Sequence, residues 1–184
     1  MMMTTMTMTT TIDENLIIRM AAGDGAAFKE LYEQTSSAVY GFALSILKNK
    51  HDAEDVMHDA FIKVYTAAVT YKPMGKPLAW ILTIVKNLCY SKIRAGSVCE
   101  DLSEYEDLAR TDESGSILDK VILQEALSTL DFEERQIVIL HSLTGMKHRE
   151  IAEILELPTG TVLSKYNRSI KKLKRELEEK GGEQ

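Results

Sequence analysis

Residues 151–168 read IAEILELPTGTVLSKYNR, and this stretch decides the fold of the second half of the chain. Apolar side chains at Ile151, Ala152, Ile154 and Leu155 predict a short helix that buries one stripe. Residues 157–160 then end that helix and begin another, because proline suits a first helical turn and disfavours helix in the residue before it. The pattern therefore predicts a helix-turn-helix.

The second helix of this motif is predicted to have two faces. Between Thr159 and Arg175 the sequence has six basic residues and no acidic ones, although the whole chain has a formal net charge of -6. A helix of this kind can enter the major groove of DNA, where Lys and Arg donate to guanine and Ser or Thr contact several base edges. The face expected to pack comprises Val162, Tyr166, Ser169, Ile170, Leu173 and Leu177. The face expected to contact DNA comprises Thr161, Ser164, Lys165, Arg168, Lys172 and Arg175.

The acidic charge of the chain is concentrated in one connecting segment. Residues 96–120 contain two basic and eight acidic residues, whereas residues 12–95 contain ten and nine. A segment with such charge and no apolar periodicity is typical of a linker. We therefore predict a disordered tail at 1–11, a first domain at 12–95, a flexible acidic linker at 96–116 and a second domain at 117–182.

Helical periodicity accounts for both domains, and no segment has the pattern of a strand, so we predict an all-α fold. In the first domain we expect helices over 13–22, 26–48, 53–70 and 78–94, with Asp52 as the N-cap of the third. Two prolines and a glycine make residues 71–77 a loop. In the second domain a helix is expected from near Ile117, and Asp131 with Glu134 matches a capping box that begins another, which ends at Gly145.

The helix over 78–94 has an unusual outer face. It interleaves aromatic, amide, hydroxyl and guanidinium groups, which together provide the stacking and base-edge hydrogen bonds that single-stranded nucleic acid requires. The residues of this face are Trp80, Thr83, Asn87, Tyr90, Ser91 and Arg94.

Several other classes of protein are disfavoured. No apolar run is long enough to span a bilayer, and the Met/Thr-rich N-terminus lacks the features of a secretory signal, so we expect a soluble cytoplasmic chain without membrane insertion. Cys89 and Cys99 lie in neither a CxxC motif nor a disulfide framework. Asp55 and His58 have the spacing of a di-iron ligand pair, but the required second copy is absent. We expect no metal, cofactor, small-molecule substrate or enzymatic activity.

Two stretches resemble the bacterial sigma-70 family of RNA polymerase sigma factors. Residues 24–94 resemble sigma domain 2 through AFKELY at 27–32, DAEDVMHDAF at 52–61, WI at 80–81 and KNL at 86–88. Residues 130–173 resemble sigma domain 4 through Arg135, EIA at 150–152 and GTVLSK at 160–165. Because only these two domains and a short linker are present, the chain is similar to the extracytoplasmic-function (ECF) subgroup. Ser91 and Lys147 depart from the family pattern, and Lys147 removes a helix cap.

The resemblance implies an alternative sigma factor that binds core RNA polymerase, at the beta-prime clamp helices and the beta flap, and directs it to promoter DNA. It implies that the clamp helices are bound by Asp52, Glu54, Asp55, His58, Asp59 and Phe61. It implies that the minus-10 element is opened and read by Met74, Trp80, Thr83, Lys86, Asn87, Tyr90, Ser91 and Arg94. It implies that the minus-35 element is read by Thr161, Ser164, Lys165, Arg168, Lys171 and Lys172. Catalysis would belong to the polymerase.

One alternative remains open, a helix-turn-helix transcriptional regulator that acts without binding the polymerase core. It explains the 151–168 motif but not the outer face of the 78–94 helix. For the sigma factor, only a short uncharged stretch precedes Ile12, so we expect no N-terminal domain over the DNA-reading faces and a free chain close to constitutively active. Control is then expected from a separate, membrane-tethered anti-sigma factor that inserts between the two domains.

Overall fold

The computed structural model describes residues 12–96 and 126–181, and every regular element in these two ranges is helical. The predicted all-α fold is thus confirmed. The 1–11 tail, nearly all of the predicted linker and the helix start near Ile117 lie outside the described residues. The helices are α1 (Asn15–Ala21), α2 (Gly25–Leu47), α3 (Lys50–Ala67) with a 3-10 turn (Ala68–Thr70), α4 (Pro77–Arg94), α5 (Phe132–Thr144), α6 (His148–Leu155) and α7 (Thr159–Gly181).

Most helix ends follow the capping residues read from the sequence. The capping box at Asp131 and Glu134 is present, and Gly145 ends α5 with φ of 66°. Lys147 gives α6 no side-chain cap, although the Glu150 carboxylate accepts the Lys147 N–H at 2.9 Å. The prediction for Asp52 was wrong, because α3 begins at Lys50 and Asn49 is its N-cap. Asn49 accepts the Asp52 N–H at 2.9 Å, which places Asp52 within the first turn.

Helices α1 to α4 surround the core of the first domain. The largest fully buried side chains there include Leu16, Leu31, Phe42 and Ile81. Phe61 on α3 contacts this core through rings on α2, with its centroid 6.3 Å from that of Phe28 and 4.6 Å from that of Tyr32. The burial of these aromatic side chains fixes the register of α3 on α2.

Helix α5 lies between the two domains and is buried on two sides. Ile137 and Leu140 belong to the same apolar core as α2, so one continuous core joins the first domain to the second. Val138 and Ile139 face the other way and pack with Leu127. Helix α6 also packs against α4. The described parts of the chain therefore form a structure in which the helix-turn-helix lies directly against the first domain.

Candidate nucleic-acid interface

Helix α7 packs with most of the predicted face, and the packed face extends toward two lysines expected on the outside. Val162 and Ser169 are fully buried as expected, but Ile170 and Leu177 are each 40% exposed. Lys165 and Lys172, expected on the outer face, instead lie against the acidic first turn of α5. The Lys165 amine is 3.2 Å from a carboxylate oxygen of Asp131 and 3.2 Å from one of Glu133. The packed face therefore extends toward these lysines.

Each of these lysines has a carboxylate partner inside the domain. Lys172 pairs at 2.7 Å with Glu134, whose side chain is 2% exposed. Burial tends to lower the pKa of Lys165, but the carboxylates of Glu133 and Asp131 outweigh it and raise the pKa overall. In this conformation both amines are therefore held by carboxylates of α5 and its N-cap.

The outer surface of α7 keeps other predicted DNA-binding residues. Arg168, Lys171 and Ser164 are exposed, and Thr161 is half-buried at the start of the helix. The Ser164 hydroxyl donates to the Thr161 carbonyl at 3.1 Å, so the two polar side chains lie on adjacent turns. Arg168 is the exposed guanidinium closest to the helix start, which suits bidentate contact with guanine.

Three rings hold the helix-turn-helix together at its centre. The His141 and His148 rings stack with centroids 5.1 Å apart, and each lies 4.7 Å from the Tyr166 ring. His141 Nδ1 is 2.9 Å from the Met146 carbonyl oxygen. Burial, with a smaller contribution from the neighbouring His141, lowers the pKa of His148. The cluster joins α5, α6 and α7 and fixes the orientation of α7.

On α4, some of the predicted minus-10 residues are exposed as expected. Asn87, Ser91 and Arg94 are exposed, and Arg94 donates to the Ser91 hydroxyl at 3.2 Å. Met74 in the preceding loop is 75% exposed. Trp80 is half-buried, with its ring 4.8 Å from that of Tyr71. Met74 and Trp80 thus lie at the N-terminal end of α4, and Asn87, Ser91 and Arg94 lie in its C-terminal half.

The rest of the α4 face is covered by the second domain. Lys86 is 3% exposed, and its amine donates to Glu156 at 2.5 Å. Lys76 donates to Glu153 at 2.7 Å, and the Tyr90 ring lies 6.3 Å from that of Phe132. The hydrogen bond from Lys86 lowers the pKa of Glu156. In this structure, α6 and the start of α5 therefore lie over part of α4, so the second domain covers one of the DNA-reading faces.

A cleft between the domains adjoins this covered surface. It measures about 360 Å³ and is lined on one side by Tyr71, Trp80 and Thr83 and on the other by Glu153 and Ile154. Thr83 donates its hydroxyl to the Ala79 carbonyl at 2.8 Å. Sequence reasoning missed Glu153 and Glu156 as partners of the α4 region, because their positions in α6 and at its end give no sign of a contact with the other domain.

On α3, four of the six residues predicted to bind polymerase share an exposed face, namely Glu54, Asp55, His58 and Asp59. The other two do not. Phe61 is 3% exposed and belongs to the core. Asp52 is buried, and one of its oxygens is 2.6 Å from the Lys92 amine on α4. Burial tends to lower the pKa of Lys92, but Asp52 and Asp55 outweigh it and raise the pKa. These two residues stabilise the α3–α4 contact in this structure.

Comparison with known proteins matches both halves of this interface. The family model for sigma-70 region 2 matches residues 31–99, and that for sigma-70 region 4 matches residues 120–173. The chain belongs to the sigma-70 family. Helices α3 and α4 lie in its region 2, and α5, α6 and most of α7 lie in its region 4.

Relatives and solved structures of the family cover most of the chain. The ECF sigma factor SigK of Mycobacterium sp. (strain KMS) is 26% identical over 89% of this chain and 90% of its own length. The ECF sigma factor SigE of Mycolicibacterium smegmatis is 30% identical over 84% of this chain and 64% of its own length. The sigma factor RpoE of Bartonella quintana, solved with the anti-sigma factor NepR, matches with a TM-score of 0.68 and 25% identity, covering 82% and 96% of the two chains.

Within 12–96 and 126–181, no three His, Cys, Asp or Glu residues are grouped so that they could hold a metal ion. None of the helices in the same ranges is long and apolar enough to cross a membrane. Cys89, in α4, is buried, and its burial raises the pKa of the thiol to about 12.

Proposed function

We propose that this chain is an alternative sigma factor of the ECF subgroup, which binds core RNA polymerase and directs it to promoters through minus-10 and minus-35 elements. The proposal rests on one observation above all. Regions 2 and 4 of the sigma-70 family occur in order on one chain, and each presents a helix with exposed groups suited to nucleic acid. The chain itself supplies binding and recognition, and RNA synthesis is the work of the polymerase in the cytoplasm.

The residue roles follow from exposure and chemistry. Glu54, Asp55, His58 and Asp59 form the polar face of α3 that meets the polymerase clamp. Arg168 reads the minus-35 major groove, and Lys171 meets phosphates. Asn87, Trp80 and Met74 contact unpaired bases of the minus-10 element, where stacking and edge hydrogen bonds offset the cost of unstacking. Lys86 and Tyr90 join this surface once the second domain moves off α4.

Transcription in vitro separates this function from that of a regulator that binds DNA alone. Core polymerase is incubated with a genomic promoter library, with and without the purified chain, and transcript starts are sequenced. We expect transcripts from a defined promoter set only when both proteins are present. Specific binding of the chain to duplex DNA with no polymerase-dependent transcripts would identify a helix-turn-helix regulator instead.

Asn87 provides a sharper test of promoter melting. Asn87→Ala is expected to lower open-complex formation more on a fully paired promoter than on a template already mismatched at the minus-10 element. The reason is that the amide contributes to extracting bases from the duplex, a step the mismatched template has already completed. Permanganate footprinting of unpaired thymines measures open-complex formation on both templates. Equal losses on both templates would contradict a melting role for Asn87.

Regulation is proposed to come from a separate anti-sigma factor, as the resemblance implies. Support comes from the Bartonella quintana relative, which was solved with an anti-sigma factor. The partner would bind α3 and α7 and keep the chain from polymerase. Purification from the native host with and without a chemical crosslinker, followed by mass spectrometry, identifies what binds. Recovery of polymerase subunits alone from uninduced cells would contradict this form of control.

A further inference from the structure

Residues 71–76 of the 71–77 loop lie outside the helices, and the loop lacks the backbone N–H at two of its seven positions. It connects the 3-10 turn to α4, and prolines at 73 and 77 bring no N–H groups of their own. Gly75 has φ of 70°, a left-handed conformation that favours glycine. A loop of this kind holds one conformation only where groups outside it satisfy its amides.

One carboxylate oxygen at the start of α1, about sixty residues earlier in the chain, accepts hydrogen bonds from the loop. Oε1 of Glu14 accepts the Tyr71 hydroxyl at 2.5 Å, the Met74 N–H at 2.8 Å and the Gly75 N–H at 2.9 Å. Successive backbone N–H groups beside a left-handed residue form a concave site for an anion, and here the anion is a side chain of the same protein. These bonds, with the Tyr71 hydroxyl as the largest contribution, keep the pKa of Glu14 below its usual value.

Glu14 is fixed in place and makes no competing bond to its own helix. It is the N-cap of α1, yet its side chain forms no capping hydrogen bond. Asp13 accepts a hydrogen bond from the first turn instead, since its Oδ1 accepts the Asn15 N–H at 2.9 Å. Leu16 and Ile17, which follow, are 1% and 0% exposed, so α1 is a rigid base. The loop is thereby tied to the core of the domain through one side chain.

The hydrogen bonds to Glu14 hold residues that contact or belong to the group assigned to the minus-10 element. Tyr71, held by Glu14, has its ring 4.8 Å from that of Trp80, and Met74, held through its N–H, has its side chain 75% exposed. We propose that Glu14 is a positioning residue that sets the conformation of the 71–77 loop for reading the minus-10 element. The role in promoter reading rests on the proposed function, whereas the role in holding the loop does not.

The loop conformation can be tested in the free protein, because Trp80 is the single tryptophan of the chain. Glu14→Gln and Glu14→Ala are compared with Glu33→Gln, which removes an exposed carboxylate of α2 that pairs only at 3.7 Å with Lys29. We expect Glu14→Ala to shift Trp80 emission and raise its quenching by acrylamide, Glu14→Gln to do so partly, and Glu33→Gln to match the wild type. Tyr71→Phe removes one of the three donors to Glu14. It replaces Glu14→Ala in this comparison if Glu14→Ala does not fold.

The promoter role is tested with polymerase and a library randomised in the minus-10 element. We expect Glu14→Ala to bind core polymerase like the wild type, to lose about tenfold in open-complex formation, comparable to one hydrogen bond to a charged group, and to flatten base preference at the positions the loop reads. A variant that only lost stability would lose activity equally on all sequences and would show a lower melting temperature by circular dichroism.

The two failures are distinguishable. If the wild type supports no promoter-specific transcription, the proposed function is wrong, and the fluorescence comparison still decides whether Glu14 holds the loop. If the wild type is active but Glu14→Ala and Tyr71→Phe match Glu33→Gln in emission, quenching and base preference, the positioning role is overturned. A uniform loss of activity that parallels a lower melting temperature would also overturn it.

Discussion

Helices α4 and α7 are both assigned to DNA, but they are held in different ways. Helix α4 is tied to its own domain by the buried Lys92–Asp52 pair and is covered by the second domain through Lys86 and Glu156. Helix α7 is held by α5 and α6 within its own domain, and its Arg168 faces solvent. The difference indicates that α7 can meet duplex DNA as it stands, whereas α4 reaches its full surface only after the domains separate.

The largest expected effect is on the pair that holds α4. Lys92→Met leaves the Asp52 carboxylate, 12% exposed, without its ion-pair partner, and we expect a loss of about 3 kcal/mol of unfolding free energy. Lys172→Met, the matched change on α7, should cost about 1 kcal/mol, because Glu134 still accepts the Asp131 N–H. Urea denaturation followed by circular dichroism measures both. A larger loss for Lys172→Met would reverse the comparison.

The next effect concerns base reading by α7. Arg168→Ala should cost about 1–3 kcal/mol of binding free energy and relax preference at one position of the minus-35 element. Lys171→Ala should weaken binding to all sequences and lower the salt slope by about one unit. Fluorescence anisotropy with duplexes at several salt concentrations separates them. If both changes acted equally on every sequence, base reading by Arg168 would be refuted.

A smaller effect is expected when the ion pair that holds the second domain over α4 is removed. Glu156 has φ of 57°, so Glu156→Gly removes the partner of Lys86 and relieves a backbone conformation unfavourable for glutamate. We expect a larger radius of gyration by X-ray scattering and stronger binding of single-stranded minus-10 DNA. Lys48→Gly provides the control for backbone relief at a helix end of the first domain, because Lys48 also has a positive φ, of 54°. Unchanged scattering and unchanged binding would show that this ion pair does not hold the domains together.

The smallest effect is a pH dependence confined to the helix-turn-helix. His148 has a lowered pKa in the folded state, so the unfolded chain takes up its proton more readily. Stability should therefore fall as the pH drops below about 6.5, the ordinary value for histidine. His148→Gln should remove that loss, and His51→Gln, at an exposed position of α3, should not. Thermal melts across the acidic range measure it, and a loss that persists in His148→Gln would exclude this residue.

Much of the fold could be predicted from local signals. Asp131, Glu134 and Gly145 mark both ends of α5, and apolar spacing fixes the other helices to within a few residues. The error at Asp52 had a visible cause, since Asn49 three residues earlier is an equally good cap. What the sequence signals could not provide was which lysines face inward. Lys165 and Lys172 pair with carboxylates more than thirty residues away, and Lys86 with one seventy residues away.

The site was predictable to the same extent. Residue types and helix periodicity predicted the outer faces of α4 and α7, whereas the role of the α3 face came from the family resemblance. Asn87 and Arg168 are exposed, as the predicted faces require. Periodicity alone cannot tell a lysine that reaches solvent from one whose amine is held by another element, because both occupy the same angle on the helix. Phe61 shows the reverse case, because it was predicted to contact the polymerase but lies in the core.

The internal pairing of lysines has a consequence for how the free chain moves through a cell. Lys76, Lys86, Lys92, Lys165 and Lys172 all face carboxylates of the same molecule. Attraction to random chromosomal DNA comes from cations that displace counterions from phosphates, and an amine already neutralised displaces none. We therefore expect a chain arranged in this way to adsorb less to random DNA, so that a larger share of its molecules is free to encounter polymerase.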